Sequence, residues 1–468
     1  MQNYWKILQN QVKAMNLKVS FFFLIFIIVL DTESFGEDIL SDKLIILLED
    51  TYNFSPKLRA EREVLFEKDE LLPQAFSEFR PVIDGYYNKG KIDTAISGSN
   101  FIADGVRTET NAGIKITQPI FNGGSTLDNI SVAENKIYSQ RYKLKYTEQN
   151  VFLESIKLFS SIAAKKKEVL LNIKRQESLK KKFDLAQSQF DIGEITLTDV
   201  SISKARLSLA KSDLIKSESD LFAISAKYKM LVGTEPNDPE LYFNFPSLGK
   251  DLNVLIKKSM KQNPKLQGIT FNIRSLNSQV KMLYSKKLPS VKLEAELKKN
   301  RGYFRSDSSR EVMSAFASLS VPLYEAGVAS SKLRELKKKV SSEKELKKIE
   351  VNELKYNITN SWSNYNSSLS KIEAYKSQIE ANEKYLEGLN QELMLGERTL
   401  LDILDAEEEL IESEYNLIKS YEENFNSYYE LLFFLGDLDA KKLGLKVDFF
   451  DDLENYNNVK FKWLDIIE

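Results

Sequence analysis

The chain has 468 residues, 66 Lys and Arg against 68 Asp and Glu, and only 10 Pro and 18 Gly. A formal charge of -2 gives no global field that would draw in nucleic acid, and the scarcity of Pro and Gly suits long helices. With no cysteine and no histidine, the composition excludes disulfides, thiolate nucleophiles, Cys/His zinc sites, imidazole catalysis and a lipid-modified N-terminal cysteine. Carboxylate-only enzymes, such as glycosidases, stay open, and no cofactor is expected.

Residues 1–36 read as a cleaved secretory signal. Lys6, Lys13 and Lys18 precede the 12-residue apolar run Val19 to Leu30, and Ser34 and Gly36 precede Glu37. The competing reading is an N-terminal anchor helix. No other stretch reaches 18 apolar residues, so an exported chain that resides in a membrane must do so as β-structure.

The mature sequence is written twice. GEITLTDV at Gly193 returns as GERTLLDI at Gly396, 203 residues on; QPIFNGG (Gln118 to Gly124) returns as VPLYEAG (Val321 to Gly327) at the same offset. Upstream the offset is 208, pairing SPKL at Pro56 with NPKL at Pro264 and Pro81 with Pro289, so a loop between Pro81 and Pro119 absorbs five residues. Two copies, 37–245 and 246–436, precede a tail at 437–468.

In each copy Ser or Asn before Pro starts a helical stretch. The period then drops to two. A strand begins near Val82, a second spans Ile114 to Ile120, and their counterparts are Val291 to Lys298 and Met313 to Leu323. Past Gly124 and Gly327 no breaker interrupts a helix until the repeated word. Gly124 to Ile192 covers 69 residues, or about 100 Å as helix. The return helix, 197–232, carries one heptad seam, Val200, Leu207, Leu214, Leu221 and Tyr228. Its counterpart carries two adjacent tracks, through Ile403 and through Leu404, and so expects two helical neighbours. A helix around 38–75 has the length to cover the half of the long helix that the short return leaves bare. Four strands cannot close a barrel, and an open sheet leaves edges that lipid cannot satisfy, so closure takes more than one chain. The competing architecture is a soluble periplasmic coiled-coil adaptor or scaffold.

In this order and spacing, the paired Pro-aromatic-x-x-Gly junctions (Pro119 and Gly124, Pro322 and Gly327) and the two Gly-x-x-Thr-x-x-Asp words resemble the TolC-type outer-membrane efflux proteins. The tail Leu443 to Trp463 is similar to that of relatives serving type I secretion. The resemblance implies a mixed α+β fold. Long coiled-coil helices build a trimeric α-barrel through the periplasm, and four strands per chain complete a 12-stranded outer-membrane β-barrel. It also implies a passive exit duct, not an enzyme, that works with a periplasmic adaptor and an inner-membrane ABC or RND transporter.

Gly193 and Gly396 are expected to end helices in the left-handed conformation. Thr196 with Asp199, and Thr399 with Asp402, are expected to cap the next ones; these tips are the expected adaptor-docking points. Asp402 and Asp405, one turn apart, would form two acidic rings in a trimer, matching the constriction that the resemblance implies at the periplasmic entrance. By the same resemblance Arg398 would reach Thr198 and Asp199 of a neighbouring chain as a gate latch, whereas a Tyr found as an extra latch in some relatives is Leu393 here. Glu407, Glu408 and Glu409 read as a solvated run without a specific role, as do Lys165 to Lys167, Lys180 to Lys182 and Lys337 to Lys339.

Overall fold

A computed structural model describes residues 41–94, 105–241, 245, 251–303 and 305–463. The signal at 1–36 and the first strand-connecting loop lie outside the described residues. Three short helices open the described chain, α1 (Asp42–Phe54), α2 (Pro56–Asp69) and α3 (Leu71–Ser77). They are followed by strands β1 (Val82–Thr94) and β2 (Gly105–Asn122), then by the hairpin of α4 (Ser125–Asp191) and α5 (Leu197–Val232). The order then repeats as α6 (Leu252–Gln262), α7 (Pro264–Ser285), β3 (Ser290–Arg301), β4 (Ser309–Ser320), α8 (Val328–Met394) and α9 (Leu400–Leu435), with a small α10 (Glu454–Val459) in the tail. Both outgoing helices are 67 residues long and both returning ones 36.

The expected helix over 38–75 is broken in three. Ser55 accepts a hydrogen bond from the Leu58 N–H ahead of Pro56, as Asn263 does from Leu266 ahead of Pro264, so each cap that starts one helix ends its predecessor. The end-to-end stacking does occur: Gly233, closing α5, lies against Phe54 at the end of α1, and Gly436, closing α9, lies against Gln262 at the end of α6. The second long helix likewise meets α7, which packs against both α4 and α8.

The four strands form one antiparallel sheet in chain order, leaving β1 and β4 as edges. One face aligns Ile83, Ile116, Ala295 and Ala315 across the strands, with Ile114, Leu297 and Met313 in the next row. The other carries Lys115 against Glu294 at 2.8 Å and the Tyr86 hydroxyl donating to Glu296 at 2.8 Å. Three of the five residues by which the repeat offset changes fall in the hairpin turns, since residues 95–104 join the first pair of strands and only 302–308 the second; the longer strands of the first copy take up the rest. One correction concerns the end of β4. The alternation through Leu323 suggested a longer strand, but it stops at Ser320, because Pro322 lacks a ladder N–H on a strand with a partner on one side only. β2 passes Pro119 by a bulge before Phe121 because β3 still pairs with it beyond.

The two tracks of α9 part as expected. Ile403 packs with Leu389 of α8, while Leu404 packs with Leu179 of α4 and Leu207 and Ala210 of α5. Ser203 and Ser217 on α5 and Ser413 and Ser420 on α9 are buried in the seams, where their small volume lets helices approach and their hydroxyls donate to carbonyls one turn back. The largest apolar cluster joins α1, α4, the ends of α5 and α9, and the start of the tail. No helix among the described residues is long and apolar enough to cross a membrane.

Candidate functional site

The tips of the two helical hairpins are near-identical pieces of local chemistry. Gly193 and Gly396 sit at φ +82° and +78°, a conformation that a side chain resists. The N–H groups of Gly193 and Glu194 bond back to Phe190 and Gln189, and those of Gly396 and Glu397 to Leu393 and Glu392, so the last carbonyls of α4 and α8 are satisfied. Thr196 and Thr399 then restart the chain with full capping boxes. Asp199 Oδ2 accepts from the Thr196 N–H at 3.0 Å and hydroxyl at 2.7 Å; Asp402 Oδ2 accepts from the Thr399 N–H and hydroxyl, both at 2.8 Å. The Thr196 hydroxyl, then its N–H, hold the Asp199 carboxyl below the usual range; for Asp402 the Thr399 N–H leads and its hydroxyl follows. Ile192, Leu197, Met394 and Leu395 stand exposed around these turns.

At the other end of each long helix, Gly124 and Gly327 occupy the N-cap positions in left-handed geometry, below Pro119 in the β2 bulge and Pro322 past the end of β4. These four residues mark where sheet becomes helix.

The first turns of α9 lie in the groove between α4 and α5, and here the acidic run acquires partners. Arg206 of α5 holds Asp405 at 2.5 Å and approaches Glu408 at 3.9 Å. Arg175 of α4, its side chain only 7% exposed, grips both oxygens of Glu408 at 2.7 and 2.5 Å and reaches Asp213 of α5 at 2.8 Å. Lys182 meets Glu407 at 2.5 Å, and the Ser178 hydroxyl donates to the same carboxylate at 3.0 Å. Glu407, Glu408 and Lys182 are therefore not a solvated run. They form a cross-hairpin network that charge composition concealed and that the seven-residue spacing of Arg175 and Lys182 on the seam face signalled. Lys165 likewise pairs with Glu168 and Asp220.

Asp402 and Asp405 thus differ within one chain: the first is held by its cap, the second faces a guanidinium. Arg398 bonds Glu392 of its own hairpin at 2.7 Å. Thr198 is exposed beside Asp199 in the first turn of α5.

The sequence matches the family described as OEP, outer membrane efflux protein, over residues 55–233 and 255–436. The chain belongs to the outer membrane efflux protein family. It is similar to the outer membrane efflux protein BepC of Brucella suis, 24% identical over 92% of each chain, and to the outer membrane protein TolC of Escherichia coli, 22% identical over 78% of this chain and 77% of that one. In fold it is similar to the CmeC outer membrane channel of Campylobacter jejuni, with a TM-score of 0.75 covering 90% of this chain and 89% of that one at 13% identity. The protein is an outer-membrane efflux channel reaching through the periplasm, which sets aside the soluble-scaffold reading. The apolar face of the sheet faces lipid and the ion-paired face the lumen. Channels of this type are homotrimers; within this chain β1 and β4 are the free edges of the sheet, and α5 and α8 are outermost in the row α5, α4, α9, α8.

Proposed function

We propose that the hairpin tips form a gated periplasmic entrance, opened when the lower part of the α8 and α9 hairpin swings away from α4 and α5. The observation that carries this is the cross-hairpin network. Arg206 with Asp405, Arg175 with Glu408 and Lys182 with Glu407 span the two hairpins next to the tips; the Arg206–Asp405 pair is the most exposed and can exchange partners at little cost, about 0 to 1 kcal/mol, while Arg175 and Lys182 are largely covered and hold more firmly. Arg398, which bonds Glu392 within its own hairpin, would trade that partner for Thr198 and Asp199 of a neighbouring subunit. The exposed tips around Gly193, Thr196, Gly396 and Thr399 would dock a periplasmic adaptor, which links the duct to an ABC or RND transporter in the inner membrane. The duct itself performs no reaction, and its cargo is set by the transporter.

In the trimer, three copies each of Asp402 and Asp405 would line the entrance. Arg206 balances Asp405, so the Asp402 ring is the stronger cation site. The test is single-channel conductance in planar bilayers. Asp402→Asn keeps a cap acceptor while removing charge, and together with Arg398→Ser it should raise conductance and relieve block by multivalent cations, whereas Asp405→Asn alone relieves block less. Unchanged conductance and block in the double variant would remove both residues from the gate.

A further inference from the structure

The tail beyond α9 follows a directed path. Its backbone N–H groups bond Glu49 Oε1 from Lys446 at 2.7 Å and the Tyr52 hydroxyl from Phe450 at 3.0 Å, and Asn455 then donates to Asp69 at 3.0 Å. Arg62 lies over both Tyr52 and Phe450, and Arg141 over Tyr456. At the far end Arg80 donates to the Lys462 carbonyl at 2.8 Å and stacks on the Trp463 ring at 4.7 Å, while Phe76 meets Phe461 at 5.5 Å. The partners rise through α1, α2 and α3 to Arg80, two residues below the first residue of β1. The tail is a strap from the top of α9 to the foot of the barrel.

What it delivers there is apolar and uncovered. Phe461 and Trp463 are each 66% exposed, although each has one side packed, and Phe79, adjacent in sequence to Arg80, is 47% exposed. Just above begins the lipid face of the sheet, with Ile83 on β1 and Phe121 at the base of β2, both exposed in the single chain. Lys460 lies 5.3 Å from the Phe461 ring, so together with Lys462 and Arg80 the aromatic pair is flanked by three cations. Among the described residues, the acid nearest Arg80 in sequence, Glu78, is engaged by Asn129 at 2.8 Å. Aromatic rings beside basic side chains at the end of a membrane-spanning apolar face are the composition of a bilayer interface, where the ring enters the acyl boundary and the cation stays with phosphate.

We infer that Phe461 and Trp463 seat the C-terminal strap in the periplasm-facing leaflet of the outer membrane, with Arg80, Lys460 and Lys462 on the phosphates of anionic phospholipid. The chain has no cysteine to carry an acyl anchor, and this contact gives its equatorial helices a direct tie to the membrane plane. The strap continues the lipid surface of the barrel downward, which favours lipid over a soluble partner as its occupant.

The sequence contains three tryptophans, Trp5, Trp362 and Trp463. In the full chain carrying Trp5→Phe and Trp362→Phe, Trp463 is the sole indole and reports its own surroundings. Reconstituted in phosphatidylethanolamine and phosphatidylglycerol vesicles, it should emit at short wavelength. It should be quenched at least about twofold when lipid brominated high on the acyl chain is included, and little by aqueous acrylamide. Adding Lys460→Glu and Lys462→Glu should weaken that quenching. Strong acrylamide quenching without bromolipid quenching would place the strap in water, and insensitivity to both would place it under a neighbouring subunit; either overturns the inference. Bromolipid quenching unaffected by charge reversal would overturn the part assigned to the lysines.

Discussion

The seam between α4 and α9 is built in two ways along its length. At the equator, Phe152, Ile156 and Phe159 of α4 meet Phe425, Tyr428, Tyr429 and Leu432 of α9, and Phe245 stacks on Tyr428 at 4.2 Å. Near the tips the apolar contact narrows to Leu404, with Leu400 beside it, and the remaining contact is Arg175, Lys182 and Arg206 on Glu408, Glu407 and Asp405. Interdigitated rings have one good arrangement and resist sliding, whereas ion pairs whose acidic partners Asp405 and Glu408 reach solvent can rearrange with water taking up the carboxylates. Under the proposed gating, the equatorial half is therefore the fixed end of the hairpin and the tip half the end that moves.

The difference can be broken from the apolar side first. Phe425→Ala removes a ring with no exposed surface and should cost about 3 to 5 kcal/mol, read as a fall in the thermal midpoint of the solubilised trimer, without raising single-channel conductance. A conductance increase would mean that the equator also gates.

Next in size is a pH effect confined to the equator. Burial pushes the Glu148 carboxyl up to about 7, even though it accepts the Ala440 N–H at 2.8 Å. The folded pKa lies above the unfolded value of 4.5, so between these pH values the folded state holds the extra proton. Stability should thus fall as pH rises through this window, by roughly 3 kcal/mol at most. Glu148→Gln keeps an acceptor for Ala440 and should flatten the dependence in denaturant titrations at about pH 5, near the unfolded value, and about pH 8, above the folded one.

Smaller still is the effect of Arg175→Met. It removes the guanidinium that pairs with Asp213 and the closer of the two at Glu408, but both carboxylates are about two-fifths exposed and can recover water, so the expected loss is roughly 1 to 3 kcal/mol. Conductance should rise in this variant, the reverse of the Phe425→Ala pattern.

The local signals in the sequence were reliable where one residue type answers one backbone need. Gly193 and Gly396 had to supply a positive φ, and Thr with Asp three residues later had to satisfy the next N–H groups; both tips fold as those rules require. The adjacent tracks of Ile403 and Leu404 foretold two neighbours because a helix face sees one partner per stripe. What stayed hidden depends on distant pairing. Glu407 and Glu408 look like solvent-facing charge until α4 brings Arg175 and Lys182 across, and no local rule connects positions more than 200 residues apart. The path of the tail was equally hidden, since it rests on single bonds to Glu49, Tyr52 and Asp69.

The central claim is that the tip half of the second hairpin must leave the first for the duct to conduct. The chain has no native cysteine, so Arg206→Cys with Asp405→Cys gives one defined pair across the seam. In planar bilayers the reduced double variant should conduct more than the wild-type channel, and the oxidised, cross-linked form should return to the wild-type level or below, reversibly on reduction. A cross-linked channel that conducts as well as its reduced form would contradict the account.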